Sequence, residues 1–241
     1  MIEKQILDHA SACYPEESCG FVIATEAGQS YMPCLNIAGT PTEFFEISPD
    51  DWLRAYTAGD IVALVHSHPD GLPILSGTDR EVQRRTNLDW WLVCGGDIYR
   101  YKNVSPLLGR SFNHGSMDCY TLFQDAYHLV GIDMPNFSRS DNWWETEQDL
   151  YITNMAKTGF YRVKQAEPGD IILICLGSHK ANHAAIYCGN QQVLHHCPNR
   201  MSKRDIYNGY WIKYTHSIWR HKAWPSYGFT AILNDMDVSL I

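Results

Sequence analysis

The sequence has no Cys-x-x-Cys pair, although it carries eight cysteines, at 13, 19, 34, 94, 119, 175, 188 and 197. A structural zinc knuckle is therefore not expected, and any metal would have to be held by histidine and carboxylate. No uninterrupted apolar run approaches the ~20 residues that a membrane-crossing helix needs. The opening Met1-Ile2-Glu3-Lys4-Gln5-Ile6-Leu7 lacks a basic stretch followed by an apolar core. Neither membrane insertion nor a secretory signal is expected. Synthesis in a reducing cytoplasm would leave the cysteines as thiols, most of them buried as small hydrophobes. Positive charge is scarce too: 19 Lys and Arg against 27 Asp and Glu give a net charge of -8. That balance argues against a protein that tracks nucleic-acid phosphates. Internal repeats and low-complexity segments are lacking as well. What is present is a globular composition of 241 residues, 45% hydrophobic and 12% aromatic, long enough for two domains of about 100 to 140 residues.

Along the chain, residues 3–13 read as a helix with Ile6, Leu7 and Ala10 on one face, and residues 21–24 as a short buried strand. Ser48-Pro49-Asp50-Asp51 is a helix start: a capping residue, Pro at the first helical position, then acids in the first turn. Residues 61–65 form an apolar run expected to be a core strand. A helix is expected over 76–85, then strands at 90–94 and 98–102 around Gly95-Gly96-Asp97. Residues 103–116 have little periodicity and read as a linker, placing a boundary near 104–112 and domains at 1–104 and 105–241. The second half opens with a helix over 118–130. It continues through a long polar and aromatic stretch to strands at 170–176, 184–188 and 192–196. This order of elements reads as α+β.

Val65-His66-Ser67-His68-Pro69 stands where the apolar strand ends. Residues i and i+2 of an extended chain face one side, so both imidazoles can converge on one ion. If Ser76 caps the next helix, Asp79 lies one turn in and can return its carboxylate to the same point. Two His and one Asp leave a position for water, the pattern of a catalytic rather than a structural zinc. Glu17, ahead of the Phe21 strand, is the candidate general base, with Glu16 as fallback. The plainer reading is a surface His pair beside an ordinary capped helix.

The arrangement resembles the JAMM/MPN+ metallopeptidases, whose pattern is E-x-x-G followed by H-[ST]-H-x7-S-x2-D. Glu17, Gly20, His66, Ser67, His68, Ser76 and Asp79 fill every position. Over roughly residues 1–100 the resemblance implies a JAMM/MPN-like α/β sheet domain. It also implies one zinc ion on His66, His68 and Asp79, with Glu17 as acid/base and Ser76 stabilising an oxyanion. Family members cut isopeptide bonds.

In the second half, Asp118-Cys119 begins a helix, where the positive end of the dipole is expected to lower the cysteine's pKa. Burial is the ordinary fate of such a cysteine. The base would come from a hairpin that runs from His183 through Gly189-Asn190 and returns at Gln192 to His196. Pairing centred on residue 189 sets His183 opposite His195, whereas a slip of one residue would set it opposite His196. His183 would accept the thiol's proton while the second His orients its other ring nitrogen. The plainer alternative is a hairpin with solvated histidines.

These residues resemble the NlpC-type cysteine peptidases: Asp118-Cys119 at a helix start, Pro168-Gly169-Asp170 opening a strand, His183-Ala184-Ala185-Ile186-Tyr187-Cys188-Gly189, then a polar residue twelve positions after the His, which selects His195. The resemblance covers about 110–225 and implies a papain-like α+β domain with Cys119, His183 and His195 catalytic. Two features depart from the pattern. The usual D-C-S-G is Asp118-Cys119-Tyr120-Thr121, and no Tyr stands about a dozen residues before the cysteine, where many members place an oxyanion-hole Tyr. Trp143-Trp144 is a candidate groove lining, or else ordinary packing.

The two halves together resemble a family of phage tail tip assembly proteins. That resemblance implies two sets of partners, the other tail tip proteins and the peptides of peptidoglycan, with cleavage at the D-γ-glutamyl to diaminopimelate linkage. It implies assembly in the host cytoplasm, with the virion tail tip and, at DNA entry, the periplasm as further locations. The competing expectation is an assembly factor or structural subunit whose sites no longer act.

Overall fold

The computed structural model describes residues 1–140, 145 and 149–238. The chain divides into two compact units, Met1–Val104 and Ser105–Ile241. Both are mixed α+β. Among the described residues no helix is long and apolar enough to cross a membrane. Trp143 and Trp144 lie outside the described residues.

The first unit runs α1 (Ile2–Cys13), β1 (Cys19–Thr25), β2 (Gly28–Cys34), α2 (Pro49–Ala58), β3 (Asp60–Ser67), α3 (Gly77–Thr86), β4 (Asp89–Cys94) and β5 (Asp97–Tyr101). Ser48 caps α2, its hydroxyl accepting from the Asp51 N–H at 3.1 Å. The sheet has the order β2-β1-β3-β4-β5, antiparallel except for the parallel β3–β4 pair, which α3 connects. Parallel neighbours need such a crossover. Phe21, Ile23, Leu64, Trp90 and Leu92 point to one face with Ala55 of α2. Val22, Ala63, Val65 and Val93 point to the other with Ile6 of α1. Burial on both faces accounts for the unbroken apolar run at 61–65. His66 continues that run, fully buried, with its ring centroid 4.8 Å from Phe45 and 5.1 Å from Trp90.

The second unit comprises α4 (Cys119–His128), α5 (Leu150–Lys157), β6 (Phe160–Val163), β7 (Ile171–Ile174), β8 (His183–Gly189), β9 (Gln192–His195), β10 (Lys203–Ile206), α6 (Gly209–Lys213), β11 (Thr215–His221) and α7 (Gly228–Val238). Its antiparallel sheet has the order β10-β9-β8-β7-β11-β6. Helix α4 packs on β8 and buries Leu122, Phe123, Ala126 and Tyr127.

Two expectations change. The segment read as a linker is strapped into the second unit from Ser105 onward. Leu107 is fully buried and its N–H donates to Asp235 Oδ2 of α7 at 2.8 Å. The Arg110 N–H donates to the Ser202 hydroxyl at 2.8 Å, and its guanidinium meets Asp125 at 2.6 Å. Low periodicity here reflects an irregular packed strap rather than free chain. The β8–β9 register also differs from a pairing centred on residue 189. His195 lies opposite Ala185, with a bulge at Cys188, and the turn residues Asn190 and Gln191 both have positive φ. A tight turn with two left-handed residues suits the twist of flanking strands. The offset from the expected pairing is two residues, so the side chains keep their face.

Asp170 anchors the sheet. Its two oxygens accept from Arg220 Nε at 2.9 Å and Nη2 at 2.8 Å, and it is 2% exposed. Beside it, a Cβ on Gly169 would collide with the Trp224 ring. Asp170→Ala leaves the Arg220 guanidinium with Glu167 alone, at 2.9 Å, removes the acceptor of the Glu167 N–H, and should cost about 2 kcal/mol. Denaturant unfolding of the variant against the parent protein measures this.

Candidate active sites

In the first unit the antiparallel β1–β3 register sets Cys19 beside His66, so the residues before β1 meet those after β3. Ser18 and Ser67 fasten this junction: the Ser18 N–H donates to the Ser67 hydroxyl at 2.8 Å, and the Ser67 N–H to the Ser18 carbonyl at 3.1 Å. Gly20 stands where β2 crowds the backbone; a Cβ there would lie 2.5 Å from the Met32 carbonyl oxygen. His68 is held by its N–H on the Val93 carbonyl at 2.9 Å and by Nδ1 on the Leu72 carbonyl at 3.0 Å. A carbonyl only accepts, so Nδ1 carries the proton and the Nε2 lone pair faces inward.

Asp79 arrives through a reciprocal cap at the start of α3. The Ser76 hydroxyl accepts from the Asp79 N–H at 3.1 Å, and the Ser76 N–H donates to Asp79 Oδ2 at 2.8 Å. Accepting that bond leaves the Ser76 hydroxyl hydrogen free to donate. The three donor atoms come together: His66 Nε2 to His68 Nε2 is 3.1 Å, and Asp79 Oδ2 lies 3.3 Å from His68 and 3.6 Å from His66. Ligands bonded at about 2.0–2.2 Å around a tetrahedral zinc stand roughly 3.3–3.5 Å apart, so these residues can hold such an ion.

Glu17 is buried while Glu16 is exposed, which separates the two carboxylates the sequence offered. Burial pushes the Glu17 carboxyl up to about 7, with His68 pulling it down and Asp79 adding to the rise. Burial also works to raise Asp79, but His66 and His68 outweigh it and hold that carboxyl well below the usual range. Burial lowers His66. His68 is raised because Asp79, the Leu72 carbonyl and Glu17 overcome its burial.

In the second unit Asp118 caps α4, accepting from the Tyr120 and Thr121 N–H groups, each at 3.0 Å. The Asp118 N–H donates to the Thr121 hydroxyl at 2.7 Å, and Arg139 pairs with the same carboxylate. Cys119 follows in the first turn, its sulfur 3.3 Å from the Tyr151 hydroxyl. A cavity of about 330 Å³ is lined by Cys119, Tyr151, His183 and His196 among others. His183 Nε2 stands 3.2 Å from His195 Nδ1, and both rings are buried. Their contact is diagonal across the β8–β9 ladder, because the register sets Ala185 opposite His195. His196 lines the Cys119 cavity as well, its ring 5.2 Å from Phe112.

The Cys119 thiol is raised, contrary to the lowering expected from the helix dipole. Burial is the main cause and Asp118 adds to it; the Tyr151 hydroxyl, the Ala184 amide and Arg139 pull the other way. Burial and the neighbouring sulfur carry Tyr151 well above the ordinary phenol range. Burial, then His183, lowers His195 to about 4.

The NlpC/P60 family profile matches residues 96–220, and that of the prokaryotic homologs of the JAB domain matches residues 2–111. Tail tip assembly protein K of Escherichia phage lambda is 55% identical over 192 residues, which span 79% of this chain and 96% of that one. The chain belongs to the tail tip assembly protein K family. Its namesake in Escherichia phage N15 is 34% identical over 90% of this chain and 93% of its own. A desampylase of Haloferax volcanii is 28% identical over 34% of this chain and 65% of its own.

In this member of the protein K family, sequence reasoning missed Tyr151 and Arg139. Many members of the resembled family place a Tyr before the cysteine, whereas the one at the thiol here comes 32 residues after it. No periodic pattern marks it. Arg139 sits in irregular chain, and only the need of a buried Asp118 for a counter-ion could have pointed to it.

Asp118 offers a test in solution. Arg139 and the Thr121 and Gly115 amides outweigh its burial and lower its pKa. A depressed folded-state value means that the stabilisation is complete above the unfolded value of about 3.9 and fades as pH falls through the folded one. Asp118→Asn should therefore be less stable than the parent protein at pH 7, with the gap closing below about pH 4. Unfolding midpoints measured across that range would show it.

Proposed function

We propose that this protein is a peptidase of the phage tail tip with two chemistries, a cysteine peptidase acting on peptidoglycan stem peptides and a zinc-dependent (iso)peptidase. The observation that carries the reading is the cavity that Cys119, Tyr151 and His183 line together, with the Tyr151 hydroxyl at the Cys119 sulfur and His183 Nε2 at His195 Nδ1, within one domain of matched family. His183 Nδ1 would take the thiol's proton, leaving the Nε2–H donated to His195 Nδ1. Burial keeps His195 neutral, so that its Nδ1 lone pair accepts. The raised thiol makes this base necessary: a helix terminus alone does not supply the thiolate. Attack on a peptide carbonyl would put charge on its oxygen, to which the protonated Tyr151 hydroxyl can donate. Return of the proton from His183 to the leaving amine, then hydrolysis of the thioester by water, completes the cycle.

In the first unit His66, His68 and Asp79 would hold zinc, which when bound polarises the scissile carbonyl and acidifies the attacking water. Glu17, with a pKa of about 7, is poised to accept a proton from water and pass it to the leaving amine. Ser76 would donate to the developing oxyanion. The likeness to the archaeal desampylase supports hydrolysis there, and the protein K relatives support a role in building the tail tip.

Purified cell wall and muropeptides, read by mass spectrometry with and without chelator, separate the two chemistries. Cys119→Ala should abolish the chelator-insensitive cleavage, and Tyr151→Phe should slow it by about 10²-fold. Wall digestion by the Cys119 variant equal to that of the parent would end the cysteine-peptidase reading. His66→Ala with His68→Ala should lower bound zinc by one ion per chain, whereas Glu17→Gln should keep the ion and lose chelator-sensitive cleavage. Zinc content unchanged by the double substitution would remove the metal from this site.

A further inference from the structure

The β8–β9 register has a second result. With His195 opposite Ala185, the position that falls opposite His183 two residues on is Cys197, on the same face of the ladder. Its sulfur is 3.4 Å from His195 Nδ1 and 3.9 Å from His183 Nε2, and those nitrogens are 3.2 Å apart. Nitrogen and sulfur ligands bonded to zinc at about 2.0–2.1 and 2.3 Å stand roughly 3.3 Å (N to N) and 3.6 Å (N to S) apart at the corners of a tetrahedron. The trio comes within a few tenths of an ångström of three such corners. Behind His195, Asp205 Oδ2 of β10 stands 3.7 Å from Nε2, the position from which a carboxylate orients a ligating imidazole. Cys197, His195 and Asp205 also line a cavity of about 350 Å³, separate from the one that holds Cys119. It gives an ion a way in and a water a fourth corner.

We infer that His183, His195 and Cys197 form a second, inhibitory metal site, selective for a thiolate- and imidazole-preferring divalent ion such as zinc, which switches the cysteine peptidase off. Two imidazoles and a thiolate suit that class of ion. Binding replaces the hydrogen bond between the two rings. Cys197 loses its thiol proton to solvent, and the His183 proton exchanges from Nε2 to Nδ1. The Nε2 lone pair is then engaged, and Nδ1 carries hydrogen and has none to offer. His183 can no longer accept the proton of Cys119. The binding stands alone; the inhibition rests on the cysteine-peptidase reading above.

The test uses the full chain, stripped of metal and titrated with cobalt(II). The His66, His68 and Asp79 site holds no sulfur, so a near-ultraviolet thiolate-to-cobalt band reports the second site alone. The band is expected in the parent protein and in Cys119→Ser, lost in Cys197→Ser, and displaced by zinc. No band in the parent, or an equal band in Cys197→Ser, overturns the site. In parallel, zinc should slow alkylation of Cys119 by iodoacetamide about tenfold or more, general-base assistance being worth on the order of 10²–10⁴. Chelator should reverse the effect, and Cys197→Ser should keep the metal-free rate with zinc present. A cobalt band with no change in alkylation overturns the inhibition. Metal-free protein that binds cobalt but never cleaves wall peptides counts against the peptidase reading instead.

Discussion

A reciprocal hydrogen-bond clasp at the start of one helix carries each candidate site. In α3, Ser76 and Asp79 satisfy one another's backbone N–H groups; in α4, Asp118 and Thr121 do the same. A helix start has orphan donors that must be met, and both units meet them with residues that also fix chemistry. Asp79 is at once the cap's third residue and the carboxylate between two imidazoles. Asp118 fixes the turn that presents Cys119 toward β8. Loosening either clasp would move a candidate site residue as well as fray a helix.

The two sites have opposite electrostatic characters. In the first unit the charges are set apart: Asp79 held well below its ordinary range, Glu17 lifted to about 7 by burial. Two carboxylates whose environments divide them can take different parts in one reaction. In the second unit the thiol and phenol are raised and His195 is lowered to about 4, which favours the uncharged form of each, beside the ion pair of Asp118 and Arg139. In the proposed reaction a further pair of charges would develop as the proton moves from sulfur to imidazole. A metal ion on His183 Nε2 would act there indirectly, by fixing hydrogen on Nδ1, the nitrogen that would have to accept the proton of Cys119.

Much of this was legible in the sequence where short-range rules apply. The i, i+2 spacing of His66 and His68, the capping signals at Ser48 and Ser76, and the run before His66 each carry their own geometry. The start of α4 at Asp118-Cys119 is local in the same way. What failed was long-range or irregular. The turn falls at Asn190-Gln191 and the bulge at Cys188 adds a single residue; together they set the ladder two positions from the expected pairing, an even number that preserved the facing of His183 and His195 while replacing the predicted opposite pair with a diagonal one. Tyr151 comes to the thiol through tertiary packing across an unpatterned stretch. Strand β10, Lys-Arg-Asp-Ile, is an edge with no apolar alternation to read. Low periodicity at 103–116 looked like free chain because irregular backbone and buried backbone share the same weak signal.

The strap that begins the second unit bears on the order in which the chain assembles as it is made. Leu107 emerges from the ribosome well before the carboxylate that receives its N–H, which belongs to Asp235 of α7. The first unit has all its strands by Tyr101 and can close while translation continues, as leading domains commonly do. The second must hold its opening segment in waiting until α7 clears the exit tunnel. Its sheet can therefore pair before its two ends are tied.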